Sequence, residues 1–177
     1  MALLSFRYAT LEDASALGDL ASKTFEHTYR DLDDPQEIAD YIADHFNLEA
    51  VRALLRDPHL TTLLAEADQQ LAGYAVLAQK HCPPGITVPA PMVELWRFYL
   101  SEQFIGKGHG AQLMLAIHRE ARRCGTQTIW LGVYDRNTKA VNFYERFGFS
   151  KVGGKEFMFG GRLYIDPVYA GAVRADA

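Results

Sequence analysis

The sequence predicts an α/β (α+β) domain in which a sheet of about six or seven strands is flanked by helices. Three observations carry this expectation. Short apolar runs of strand character recur between Leu3 and Ile165, two or three amphipathic helices follow the first of them, and two later strands each lead through a turn into a helix. The chain has 177 residues, 49% of them hydrophobic, enough for one core and short for two, so 1–177 is read as a single domain.

Leu3 to Tyr8 is the first strand. Thr10 with Asp13 three positions on has the capping-box pattern, and Leu11, Leu17, Leu20, Ala21 and Phe25 continue at helical spacing. Asp34-Pro35-Gln36-Glu37 is a second helix start, with Asp34 as cap and Pro35 in the first turn, ahead of Ile38, Tyr41, Ile42 and Phe46. Asn47 caps a further helix carrying Val51, Leu54 and Leu55, which Pro58 stops. Leu60 to Ala65 and Leu71 to Ala78, separated by Asp68-Gln69-Gln70, read as a hairpin. Four prolines and a glycine between His81 and Pro91 mark a loop, and Met92 to Leu100 is the next strand. Gly106, Gly108 and Gly110 then introduce a helix with Leu113, Met114, Ile117 and Ala121 on its apolar face, ending near Cys124-Gly125. Thr128 to Tyr134 is a buried strand, and a helix from about Thr138 to Arg146 closes on Gly148. Gly160-Gly161 separates the last two strands, Phe157 to Phe159 and Arg162 to Ile165, and Pro167 leaves the last strand in doubt.

Charged residues make up 23% of the chain and the net charge is -4, which argues against a disordered chain and against a nucleic-acid partner. The charge is uneven. Residues 1–60 carry 12 acidic against 5 basic side chains, and the remainder 10 against 13. That asymmetry suits a cationic substrate and an anionic cofactor, and equally describes two solvated helical surfaces. Cys82 and Cys124 form no CxxC pair and lack the His spacing of a metal site, so free thiols and no metal are expected. The first residues lack the basic flank and apolar run of a signal peptide, and no run reaches membrane-spanning length, so a cytoplasmic protein without a membrane partner is expected.

The chemistry concentrates in Glu94 to Gly110, a strand that leads through a glycine-rich turn into a helix. Backbone N–H groups at such a helix start, helped by the macrodipole, can cradle a pyrophosphate. The P-loop does not fit, because Gly108 follows Lys107 where Ser or Thr is needed, and the dinucleotide fingerprint needs G-x-G-x-x-G.

Gln103-x-x-Gly106-x-Gly108 resembles the Q/R-x-x-G-x-G/A signature of GNAT acetyltransferases. Asn137-x-x-Ala140-x-x-Phe143-Tyr144-x-x-x-Gly148-Phe149 is similar to that family's second hallmark, and Arg7-x-Ala9-Thr10-x-x-Asp13 reads like its opening. The resemblance spans nearly the whole chain. It implies a GNAT fold with a mixed, strongly twisted sheet, in which parallel strands near 92–100 and 128–134 splay apart to admit the pantetheine arm of acetyl-CoA. It further implies cofactor contacts from Phe98, Tyr99, Leu100, Gln103, Ile105, Gly106, Lys107, Gly108, His109 and Gly110, and from Asn137, Ala140 and Tyr144.

Acetyl transfer from a thioester to an amine needs a neutral amine, a stabilised oxyanion and a proton for the departing thiolate. Tyr144 matches the tyrosine that commonly gives that proton in GNAT enzymes; its bland alternative is a place in the apolar stripe Ala140, Val141, Tyr144 and Phe147. Asn137 doubles as an N-cap. Glu94 is the candidate base, on a strand face with Trp96 and Phe98; the alternative is a solvated glutamate or one paired with Arg97. His27 and His109 are not favoured as bases. Neither cysteine has an activating partner, so direct transfer in a ternary complex is expected over an acyl-enzyme.

Thr24-Phe25-x-x-Thr28-Tyr29, Ile38-Ala39-x-Tyr41-Ile42, Phe46-Asn47 and Ile129 to Tyr134 resemble the PaiA-type spermidine/spermine acetyltransferases within that family. That likeness implies a polyamine acceptor, with Glu26 and Asp31 of the cluster Glu26, Asp31, Asp33, Asp34 and Glu37, together with Trp96, as substrate-binding residues. Acetylation of a peptide N-terminus, an amino acid or an aminoglycoside is the alternative among enzymes, and a non-catalytic CoA-binding regulatory module is the alternative from another class. A homodimer stays open.

Overall fold

The computed structural model describes residues 3–175. The strands are β1 (Ser5–Tyr8), β2 (Leu60–Ala67), β3 (Gln70–Ala78), β4 (Met92–Leu100), β5 (Thr128–Gly132), β6 (Ser150–Phe159) and β7 (Arg162–Ala172). The α-helices are α1 (Ala14–Tyr29), α2 (Pro35–His45), α3 (Leu48–Arg56), α4 (His109–Arg123) and α5 (Thr138–Arg146). The seven strands form one mixed sheet in the order β1-β2-β3-β4-β5-β7-β6. Contacts divide the chain into two compact units, one made of residues up to Leu77 with Arg97–Ile117, the other of Ala78–Trp96 with the residues from His118 on.

In the first unit, the Thr10/Asp13 capping box opens a 3-10 turn at Leu11–Asp13, and α1 continues directly from it. Arg7 explains why this opening has the composition it does. Its guanidinium grips both Asp13 carboxylate oxygens at 2.8 Å and Glu66 Oε1 at 2.9 Å, tying β1 to the helix start and to β2. That bidentate contact holds the Asp13 carboxyl well below the usual carboxylate range. Asp34 caps α2 by accepting from the Gln36 amide at 2.8 Å, and Asn47 caps α3 by accepting from Ala50 at 2.9 Å, as their side chains suggest. Leu17, Ala21, Phe46, Val51, Tyr74 and Val76 converge around one small internal gap. The β2–β3 connection is tighter than the polar triplet suggests. Asp68 and Gln69 both have positive φ (49° and 64°), the requirement of a two-residue hairpin turn, so Gln70 already belongs to β3.

In the second unit, β4 pairs with β5 in parallel, whereas β5 with β7 and β6 with β7 are antiparallel. Three sequence expectations are corrected here, and Pro167 accounts for the first. The strand expected over Thr128–Tyr134 stops at Gly132, β6 starts at Ser150 and not Phe157, and β7 runs through the proline to Ala172. Adjacent antiparallel residues of the right parity exchange two N–H···O bonds. Val133 N donates to Pro167 O at 3.1 Å, but Pro167 has no N–H to return, so the ladder with β5 ends there. On its other edge Pro167 lies opposite Gly154 of β6, one pair from a register shift between Lys151 and Gly153, and β7 continues through both to Ala172.

Candidate active site

The glycine turn sits in the first unit. β4 ends at Leu100, a 3-10 turn spans Glu102–Phe104, and α4 opens at His109. Between them Gly106 and Gly108 both take left-handed φ values, 77° and 78°. L-residues enter that region at a cost, so glycine is required by backbone conformation here. Alternating left- and right-handed residues ahead of a helix form a concave nest of amides, and the first turn of α4 adds N–H groups with no helical acceptor. A Cβ added at Gly106 would meet no atom within 4 Å, which leaves the surface of the turn open to an approaching group. His109 closes the turn from inside. Its ring is 4% exposed, its Nδ1–H donates to the Phe104 carbonyl at 3.1 Å, and it stands edge-on to the Phe104 ring at 5.4 Å. Its side chain braces the loop, which leaves its backbone amide in the first turn of α4. Gln103 and Lys107 line one side of an open groove of about 720 Å³, with Asp68 and Gln70 across from them.

Phe98, Tyr99 and Leu100 are half-buried on the last stretch of β4. β3 runs unusually close to them at Gly73, where a Cβ would lie 2.5 Å from the Tyr99 carbonyl oxygen. Tyr99 stacks on Tyr74 at 5.6 Å, and burial together with a hydrogen bond to Tyr29 pushes its phenol up. Glu26 and Asp31 are exposed, on α1 and just beyond its end; Asp31 lies 3.9 Å from Arg30, and no contact brings the two carboxylates together.

Glu94 sits in the second unit and is 3% exposed. The Arg97 pairing considered from sequence does not occur. Strand side chains alternate between faces, so residues three apart point in opposite directions. Arg97 lies over the Phe46 ring at 4.5 Å, in the first unit. Glu94 instead meets two lysines, with Lys155 Nζ 3.2 Å from Oε1 and Lys80 Nζ 3.7 Å from Oε2. Lys80 also lies over the Trp96 ring at 4.9 Å, and Lys155 lies 5.6 Å from the Trp130 ring. The Trp130 indole N–H, donating to the Lys80 carbonyl at 3.0 Å, fixes that wall. Sequence reading missed both lysines. They are 14 and 61 residues from Glu94, and only strand pairing reveals their proximity. The β4–β5 pairing runs Met92↔Thr128, Val93↔Ile129 and Glu94↔Trp130, while β4 goes on to Leu100 and β5 to Gly132. Glu94 therefore marks the point at which these parallel strands part, the splay expected for the fold.

On α5, Asn137 caps the helix by accepting from the Ala140 amide at 3.2 Å. Tyr144 is 8% exposed, with Phe143 and Phe149 edge-on at 5.6 and 5.9 Å. Its ring is thus both packed and rigidly positioned.

The Acetyltransferase (GNAT) family matches residues 16–149, a span that includes the glycine turn and the Asn137 helix. An uncharacterized N-acetyltransferase of Mycobacterium bovis is 30% identical over 150 residues, 85% of this chain and 91% of the relative. A spermidine N(1)-acetyltransferase of Thermoplasma acidophilum is 24% identical over 150 residues, 82% of this chain and 88% of that protein. The crystal structure of the PaiA N-acetyltransferase from Thermoplasma acidophilum in complex with coenzyme A shares the fold, with a TM-score of 0.74 at 21% identity over 96% of this chain and 98% of that one. A family match running through both hallmark segments, with a relative at this identity and coverage, gives the turn and the Asn137 helix their meaning: the chain belongs to the GNAT family of N-acetyltransferases.

Proposed function

We propose that the protein transfers the acetyl group of acetyl-CoA directly to the primary amine of a small cationic acceptor, with polyamines as the first candidates. The observation that carries the cofactor assignment is the pair of left-handed glycines immediately before α4. In the first unit, amides from Ile105 to Gly110 would hold the pyrophosphate, with Gln103 and Lys107 beside them and Phe98, Tyr99 and Leu100 as further cofactor contacts; in the second, Asn137 and Ala140 would be cofactor contacts at the start of α5. Tyr144 would protonate the leaving thiolate, and Glu94 would take the proton of the acceptor ammonium. Burial and nearby carboxylates push both thiols up, at Cys82 through Glu94 and at Cys124 through Glu120, so neither is a ready thiolate for an acyl-enzyme. The family match takes in parts of both compact units, which supports reading 1–177 as one catalytic domain.

Two features support a polyamine. The spermidine acetyltransferase relative matches over most of its length, and the exposed carboxylates Glu26, Asp31 and Asp34, with half-buried Glu37, could steer a molecule with several positive charges. Thiol release from acetyl-CoA, measured across polyamines, amino acids, peptides and aminoglycosides, tests this. Spermidine or spermine should give the highest kcat/KM, and the acceptor KM should rise with salt because exposed charges are screened over about 8 Å at physiological ionic strength. Neutralising Glu26 and Asp31 together should raise the acceptor KM and leave the acetyl-CoA KM in place. Equal turnover of neutral or anionic amines would discard the polyamine assignment; no turnover of any amine, with acetyl-CoA still bound, would identify a non-catalytic CoA-binding module.

A further inference from the structure

We infer that Lys155 is itself an acceptor, acetylated by its own chain when acetyl-CoA is present without an exogenous amine. This rests on the reading above, in which Glu94 takes the proton of the acceptor ammonium and Tyr144 protonates the leaving thiolate. Within the second unit the geometry assembles amine, base and opening in one place. Lys155 reaches across β5 just past the last β4–β5 pair, close enough that a Cβ on Gly132 would lie 2.3 Å from its Cε and 2.9 Å from its Nζ. Only a glycine leaves that track for the lysine shaft. Its Nζ then stands 3.2 Å from Glu94 Oε1, in the relation an acceptor ammonium must have to its base. Lys80 is the poorer candidate, because its Nζ is 3.7 Å from the carboxylate and its side chain is 55% exposed, against 24% for Lys155.

The step balances without any further reactant. The Lys155 ammonium passes one proton to Glu94, which later releases it to water. The freed Nζ lone pair forms an N–C bond to the thioester carbonyl carbon, and the C–S bond breaks with its electron pair on sulfur. A second proton leaves nitrogen as the amide forms, and sulfur takes up one proton, through Tyr144 on the reading above. The products are N-acetyl-Lys155 and CoA. Lys80 remains beside Glu94 to balance its charge once Lys155 has become neutral.

The experiment incubates the full chain with acetyl-CoA and no amine, then maps acetylation by peptide mass spectrometry over time. Lys155 should acquire the acetyl group at least ten times faster than Lys23, Lys139 and Lys151, although those three are exposed and better placed for uncatalysed reaction. Glu94→Gln should slow labelling at Lys155 by roughly a hundredfold, the contribution expected of a general base. Acetylation confined to the exposed lysines, or Lys155 unlabelled while added amines are turned over, overturns this inference and leaves the acetyltransferase reading standing. Failure to bind acetyl-CoA at all, measured by calorimetry on the same sample, removes both.

Discussion

Tyr144→Phe is expected to lower the rate of acetyl transfer by about a hundredfold or more, the contribution typical of a positioned general acid. The substitution removes one oxygen and keeps the ring that packs between Phe143 and Phe149, so folding should be preserved. Because on the proposed reading the hydroxyl would act only as the thiolate departs, acetyl-CoA affinity should stay within about twofold, a difference of well under ~1 kcal/mol. Single-turnover kinetics are the appropriate readout, since they isolate chemistry from product release. A Phe variant with the parental single-turnover rate would assign Tyr144 to the apolar stripe of α5 and nothing more. The same assay on Glu94→Gln separates acid from base, because loss of the base should be relieved as pH rises and more of the acceptor amine is neutral in solution.

Gly108→Val is expected to weaken acetyl-CoA binding by tenfold or more, at least ~1.4 kcal/mol. Two effects add. Valine is β-branched and would have to hold a φ near 78°, a conformation that costs an L-residue roughly 1–2 kcal/mol. Its side chain would also project where the amides of the turn must be approached closely. Gly106→Ala carries a similar backbone cost with a smaller group, whose methyl would meet no protein atom within 4 Å and projects only into the open face of the turn, so its effect on binding should be the smaller of the two. Calorimetry on variants with unchanged circular dichroism is decisive. Parental affinity in a folded Gly108→Val protein would remove the turn from the cofactor site.

Much of this site is legible in one dimension because its chemistry is local. Gln103, Gly106 and Gly108 lie within six residues, and their meaning depends on backbone angles that glycine alone adopts readily. Asn137 and Ala140 form a cap within one helical turn, and Asp34 and Asn47 advertise their helices in the same way. The alternation of apolar runs with amphipathic helices was likewise enough to predict an α/β sheet flanked by helices, because periods of 2 and 3.6 are properties of the chain itself.

What the sequence could not determine was which distant side chains share a space. Glu94 looked like a base or a partner of Arg97, and only strand parity with the tertiary arrangement gave it Lys155 and Lys80. Pro167 argued against a continuous last strand. Its missing N–H falls at the residue where β5 leaves β7, so the fold absorbs it without loss, and no local pattern could have placed it there. Caps, turns and periodicity are decided by interactions across a few residues, which the sequence displays directly. Ion pairs, ladder ends and the splay are decided by segments brought together from 14 to 61 residues apart, and that encounter exists only in the folded chain.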